Sequence, residues 1–224
     1  MTTPRKDAEM KQRIALLVYP EFSLQEVGNL MALFRWYYDS PTDIISTDLS
    51  PVRSEEGVLV VPDKTTSGFK VEDYDCLILP GISDIRLSLD NHKLIQFLSE
   101  LKNHPDFLIG AICGGPIFLS MAGLLDDKSF INQLYVEMND LLPFIQAENI
   151  VYQPVVVAGN IITAIGPAYA QFAIEVARAL GYECPDQAYT SVIEDPNDES
   201  LYEFHLDPEG LAEFKRVFSK FLQD

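Results

Sequence analysis

The stretch "LIGAICGGPIFLSMAGLL", residues 108 to 125, decides how this chain folds. Its first half belongs to the apolar run "FLIGAI" of residues 107 to 112, which suits a strand buried on both faces. Its second half, "GPIFLSMAGLL" at 115 to 125, reads as a helix. Cys113 stands at the junction, flanked by Gly110, Gly114 and Gly115, which let the backbone turn sharply and approach its neighbours. A free cysteine is most often a small buried hydrophobe. Cys76 in "YDCLILPG", residues 74 to 81, reads that way, and Cys184 after "ALGYE" sits in no pattern at all. Cys113 differs because strand, nucleophile, small residues and helix follow one another in the layout of a nucleophile elbow.

The same alternation extends in both directions. "QRIALLVY" (12 to 19), "DIISTD" (43 to 48), "GVLVVPD" (57 to 63) and "DCLILPG" (75 to 81) read as strands. "PEFSLQEVGNLMALFRWYY" has Leu24, Val27, Leu30, Met31 and Phe34 at helical spacing, and "HKLIQFLSELKN" has Leu94, Phe97, Leu98 and Leu101 on one face. "NIVYQPVVVAGNIITAIG" gives two strands around Ala158-Gly159-Asn160, and "AYAQFAIEVARALG" a helix ended by Gly181. Strands alternating with helices imply an α/β domain with a doubly wound parallel sheet. The reading places this domain at residues 12 to 182, after a flexible N-terminus at 1 to 11. Residues 183 to 224 form an acidic C-terminal extension. It ends in an amphipathic helix with Asp207 as N-cap, Pro208 at the first position, and Leu211, Phe214, Phe218 and Phe221 on one stripe. That stripe has to bury against its own domain or a partner subunit.

Composition narrows the function. The 224 residues are 47% hydrophobic, enough for a sizeable core. They carry 34 Asp and Glu against 16 Lys and Arg, a formal charge of −18. Such a charge argues against nucleic acid, whose phosphates need Lys and Arg, and against anionic membrane surfaces. No apolar run reaches the roughly 18 residues of a membrane span. "MTTPRKDAEMK" lacks the apolar core of a signal peptide. Three dispersed cysteines make no disulfide framework. The expectation is a cytoplasmic protein. With no phosphate-binding glycine loop, metal-ligand cluster or cofactor fingerprint, no metal and no cofactor are expected.

In an open α/β sheet the active site lies beyond the carboxyl ends of the strands. Cys113 sits at such an end and at a helix N-terminus, whose partial positive charge is expected to lower its pKa. The Gly114 N–H is a candidate oxyanion-hole donor, and Gly81 or Ile82 of "LPGIS", at another strand exit, a second.

Taken together, "IALLVYPEFSLQEVGNLMALF", "VLVVPD", "YDCLILPG", "IGAICGGPIFLSMAGLLDDK" and "GNIITAIGPAYAQFAIEVARALG" resemble the ThiJ/PfpI superfamily. That superfamily includes the parkinsonism-associated deglycase and shares the class I glutamine amidotransferase-like fold. The resemblance implies a flavodoxin-like three-layer sandwich, a homodimer, a catalytic or redox-active cysteine at Cys113, and an acidic residue after the first strand at Glu26. A carboxylate would repel a thiolate, so Glu26 helps only when protonated and donating to the sulfur. The alternative is a solvated glutamate in the first helical turn, a place Glu21 also suits.

The resemblance stops at histidine. Peptidase-like members carry one directly after the cysteine, where this chain has Gly114. Others carry it after "GLLDDK", where this chain has Asn132 in "SFINQLY". His92 and His104 flank a helix, and His205 reaches Cys113 only if the extension folds over the site. A Cys-His-acid triad and histidine-assisted glyoxalase chemistry therefore lose support. Cys113 with Glu26 is similar to the isocyanide hydratase type, in which a thiolate attacks an electrophilic carbon and an acid shuttles the proton. The expectation is a hydratase, hydrolase or lyase acting on a small electrophile. The alternatives are a cysteine-based redox sensor and a non-catalytic interaction protein. Tyr19, Phe22, Trp36 and Tyr135 either line its pocket or pack the core.

Overall fold

Aliphatic runs become strands and amphipathic runs become helices in the order in which the chain lays them down. The computed structural model describes residues 13–188 and 205–217. The first stretch runs β1 (Ile14–Leu17), α1 (Gln25–Tyr37), β2 (Thr42–Ser46), β3 (Val52–Arg53), β4 (Leu59–Val60), β5 (Lys64–Thr65) and β6 (Cys76–Leu79). It continues through α2 (Arg86–Leu89), α3 (His92–Glu100), β7 (Leu108–Ile112), α4 (Pro116–Met121) and α5 (Val136–Leu141). It closes with β8 (Val155–Ala158), β9 (Ile161–Ala164) and α6 (Tyr169–Ala179), and α7 (Pro208–Val217) stands in the second stretch.

Seven strands form one sheet in the order β5-β2-β1-β6-β7-β9-β8. All neighbours are parallel except the β8–β9 hairpin. β1, β6, β7 and β9 are buried at every position, which explains their continuous apolar sequence. From β1 the chain moves outward to β2 and β5, then returns past β1 to β6 and continues the other way. The winding direction therefore reverses between β1 and β6. Right-handed crossovers put helices on both faces: α1 packs with α6, and α3 with α4. This is the three-layer, flavodoxin-like sandwich.

Two sequence expectations are corrected. "GVLVVPD" is not a strand of the main sheet: Leu59–Val60 pairs antiparallel with Val52–Arg53 in a separate two-stranded ribbon. Val58, Leu59 and Val61 are exposed there, so the apolar run has no second buried face. The helix after Cys113 ends at Met121, because Gly123 adopts φ +69° and turns the chain away.

The described residues fall in two compact units, one ending at residue 189 and the other beginning at 190. Residues 183 to 188 belong to the first. Arg178 Nη2 donates to the Cys184 carbonyl (2.8 Å) and to Asp186 (2.6 Å), and Tyr38 donates to the Glu183 carbonyl (3.1 Å). In the second unit Asp207 caps α7 as expected, its Oδ1 accepting the Gly210 N–H at 2.7 Å. The expected N-terminal stretch 1 to 11, and Phe218 and Phe221 of the stripe, lie outside the described residues. No helix among the described residues is long and apolar enough to cross a membrane.

Candidate active site

Four strand exits converge at the carboxyl edge of the sheet, beside the point where its winding reverses. β1 leads to Glu26 in the first turn of α1, β6 to Gly81 and Ile82, β7 to Cys113, and β9 to Gly166. A topological switch point is where open α/β sheets place their ligands.

Cys113 has φ +58°, a left-handed conformation that costs a residue with a side chain roughly 1–2 kcal/mol. Three hydrogen bonds enforce it. The Cys113 N–H donates to the Ala164 carbonyl (2.8 Å), its carbonyl accepts the Gln133 N–H (2.9 Å), and the Gly115 N–H donates to Ile112 (2.8 Å). Gly115 cannot be larger, because a Cβ there would lie 2.6 Å from the Pro80 carbonyl. Tyr19, wholly buried and edge-on to Phe118, donates its hydroxyl to that same carbonyl and so ties the β6 exit to β1.

Held this way, the Cys113 thiol donates to the Glu26 carboxylate. Glu26 Oε2 also accepts the Gly81 N–H at 2.9 Å. The fit is close: a Cβ on Gly81 would lie 2.0 Å from Oε2 and 2.8 Å from Cys113 Cβ. Burial raises the Glu26 pKa, the bonds from Cys113 and Gly81 offset part of this, and the charges of Glu55 and Glu56 raise it again. Burial likewise pushes the Cys113 thiol up, to about 12, helped by the charge of Glu26 and the bond to it. The Gly114 N–H bonded to the sulfur pulls the other way and is outweighed. The lowered thiol pKa expected from the helix N-terminus is therefore overturned, because desolvation and an adjacent carboxylate outweigh one backbone donor.

Gly81 is corrected as an oxyanion-hole donor, since its N–H is committed to Glu26. Gly114 is corrected on the same ground, since its N–H is bonded to the Cys113 sulfur, which leaves Ile82. A Cβ on Gly114 would lie 3.6 Å from Ile82 N, and the Ile82 N–H has no acceptor among the described residues. Asn132 is buried and turned to its own segment, donating to Asn139 (2.9 Å) and accepting from the Leu134 N–H (3.2 Å). Gln133, which sequence reasoning passed over, reaches the site instead. Its Oε1 accepts the Gly166 N–H at 2.6 Å, and a Cβ on Gly166 would lie 2.4 Å from Glu26 Oε1. Tyr19 and Phe22 are core residues, while Trp36 and Tyr135 are exposed and line no apolar enclosure. Among the described residues no three His, Cys, Asp or Glu side chains are grouped to hold a metal ion.

The chain is similar to known proteins. The DJ-1/PfpI family model matches residues 12–179. An uncharacterised protein of Methanocaldococcus jannaschii is 27% identical over 173 residues, covering 75% of this chain and 82% of that protein. The glutathione-independent glyoxalase DJR-1.2 of Caenorhabditis elegans is 25% identical, over 75% of this chain and 89% of its own length. A DJ-1 superfamily protein of Agrobacterium tumefaciens superposes with a TM-score of 0.66 at 24% identity, covering 94% of this chain and all of that one (100%). Oxidized DJ-1 of Toxoplasma gondii gives 0.63 at 25% identity, over 75% and 90% of the two chains. Because the match runs from β1 through α6, across every strand exit that builds the site, the chain belongs to the DJ-1/PfpI family.

Proposed function

We propose that this protein is an enzyme that adds Cys113 to the electrophilic carbon of a small molecule and completes a hydration or hydrolysis, with Glu26 carrying the proton. The observation behind this reading is the close approach of the two side chains at the elbow, where a Cβ on Gly81 would lie 2.0 Å from Glu26 Oε2 and 2.8 Å from Cys113 Cβ. Above the raised pKa of Glu26 the pair holds one negative charge, on the carboxylate. As the carbon approaches, the thiol proton moves to Glu26 and the S–C bond forms. The Glu26 carboxyl then returns the proton to the substrate atom that gained the electron pair. Water attacks the same carbon and gives its proton to Glu26. The C–S bond breaks, the sulfur leaves with the electron pair, and it retakes the proton. Charge that develops on a substrate oxygen or nitrogen faces the N–H group of Ile82. Homodimerisation and a cytoplasmic setting belong to the same reading, and sedimentation at twice the chain mass would support the first.

A redox sensor is the second reading, and the oxidized relative from Toxoplasma gondii speaks for it. A thiol held near 12 speaks against it, since peroxide reacts with the thiolate.

The test is the pH dependence of Cys113 alkylation and of the hydration of an isocyanide to its formamide. Both are expected to rise through the elevated pKa of Glu26 and then stay level past pH 8.5, where an ordinary thiol is still gaining. Cys113→Ser abolishes both. Glu26→Gln removes the acid limb and lowers turnover by about 10²–10⁴-fold. An alkylation curve centred near 8.5 and indifferent to Glu26→Gln would end the proposal.

A further inference from the structure

Resting on that reading, we propose that Glu55 makes the site selective for electrophiles without negative charge, admitting neutral or cationic molecules and turning away carboxylates and phosphate esters. The tip of the β3–β4 ribbon, residues 54 to 57, is stitched to the wall of the site. Phe22, wholly buried, forms β-bridges to Ser54 on one side and to Ile82 on the other. The Glu55 N–H donates to the Phe22 carbonyl at 3.0 Å. Glu56 accepts the N–H groups of Leu24 (3.2 Å) and Gln25 (2.8 Å), directly before Glu26. The tip is closed by the Gly57 N–H on Ser54 (2.9 Å).

Glu55 is thus anchored by its backbone while its side chain is exposed at the rim. Its charge reaches both Cys113 and Glu26, and Glu56 adds to it at Glu26. The cation of the same ribbon, Arg53, donates to the Gly57 carbonyl at 2.8 Å. Glu21 on the facing turn accepts from Ser83 Oγ at 3.3 Å and adds another carboxylate. A reagent approaching Cys113 therefore meets negative charge before it meets the thiol. Such fields change the encounter rates of charged molecules by 10–10³ and fade as salt rises.

The experiment uses the full chain and two alkylating probes of similar size, neutral iodoacetamide and anionic iodoacetate. Rates are read on the Cys113 peptide by mass spectrometry at low salt, each divided by the rate with glutathione. The expected result is a preference for the amide about ten-fold beyond glutathione's. Glu55→Gln should reduce it several-fold by accelerating iodoacetate more than iodoacetamide, and Glu55→Lys should reverse it. Sodium chloride at about 0.5 M should shrink the wild-type preference. A preference equal to glutathione's, or one that Glu55→Gln and Glu55→Lys leave unchanged, overturns the inference while the Cys113 reading stands. If neither probe modifies Cys113, both fall together.

Discussion

Glu26 weakens the fold that holds it. Its pKa is raised in the native state, chiefly by burial, so the folded chain binds that proton more tightly than the unfolded chain does. Stability therefore falls as pH rises from the unfolded value through the folded one, and the full penalty is present above both. Glu26→Gln removes the charge while leaving an oxygen to accept the Gly81 N–H. The expected outcome is a higher Tm than wild type at pH 7, with the gap closing below about pH 4.5. Equal Tm values at both pH values would mean that the carboxyl is not held in a poorly solvated place. Cys113 stood out in the sequence because an elbow is a local pattern, whereas Glu26 was singled out only by the family resemblance. The partners of the pair were not legible. Gly81 is 55 residues from Glu26, Gln133 is 33 from Gly166, and no local signal marks either contact. The sign of the thiol shift was hidden for the same reason, since it depends on burial and on a charge brought in by the fold.

The helix that carries Glu26 is capped from elsewhere in the chain. Leu24 supplies no side-chain cap to α1. Glu56, from the ribbon tip, accepts the N–H groups of Leu24 and Gln25 in its place. Burial pushes the Glu56 carboxyl up, but the donations from Gln25, Ser54 and Leu24 outweigh it and hold its pKa below the ordinary value. This is the reverse of Glu26. The stabilisation is present above the unfolded pKa and is lost as pH falls through the folded one. Glu56→Ala is expected to cost about 1 kcal/mol at pH 7, or roughly 2–4 °C in a chain of this size. Thermal melts at pH 7 and pH 3.5 check this, and a loss that persists undiminished in acid would show that packing, not the charged cap, is responsible. Periodicity showed the buried strands and the faces of α1, α3 and α6, because core positions leave a period in the sequence. It misassigned "GVLVVPD" because a short apolar run looks the same in a central strand and in an exposed ribbon. What distinguishes them is pairing with Val52 and Arg53, a tertiary fact. The cap of α7 at Asp207 was legible because donor and acceptor lie three residues apart.

Across the whole chain the excess of carboxylates acts as a single load. With 34 Asp and Glu against 16 Lys and Arg, 18 negative charges would remain even if every cation were paired. Many of the pairs that do form are exposed, as in Arg35–Asp39, Arg86–Asp84 and Arg216–Glu213, and such pairs contribute little. Two effects of salt then compete. Screening weakens the exposed pairs, and it also relieves repulsion among the unpaired carboxylates. The second should win, because weak contacts lose little and the excess charge is large. Raising sodium chloride from about 10 mM to about 500 mM, which shortens the screening length from about 30 Å to a few ångströms, should raise Tm at pH 7. The rise should be several degrees, since each kcal/mol recovered is worth about 2–4 °C here. It should disappear near pH 4.5, where many of the carboxyls are protonated and the repulsion is already gone. A Tm that falls with salt at pH 7 would show that local ion pairs outweigh the net charge, and that solubility is bought without strain on the fold.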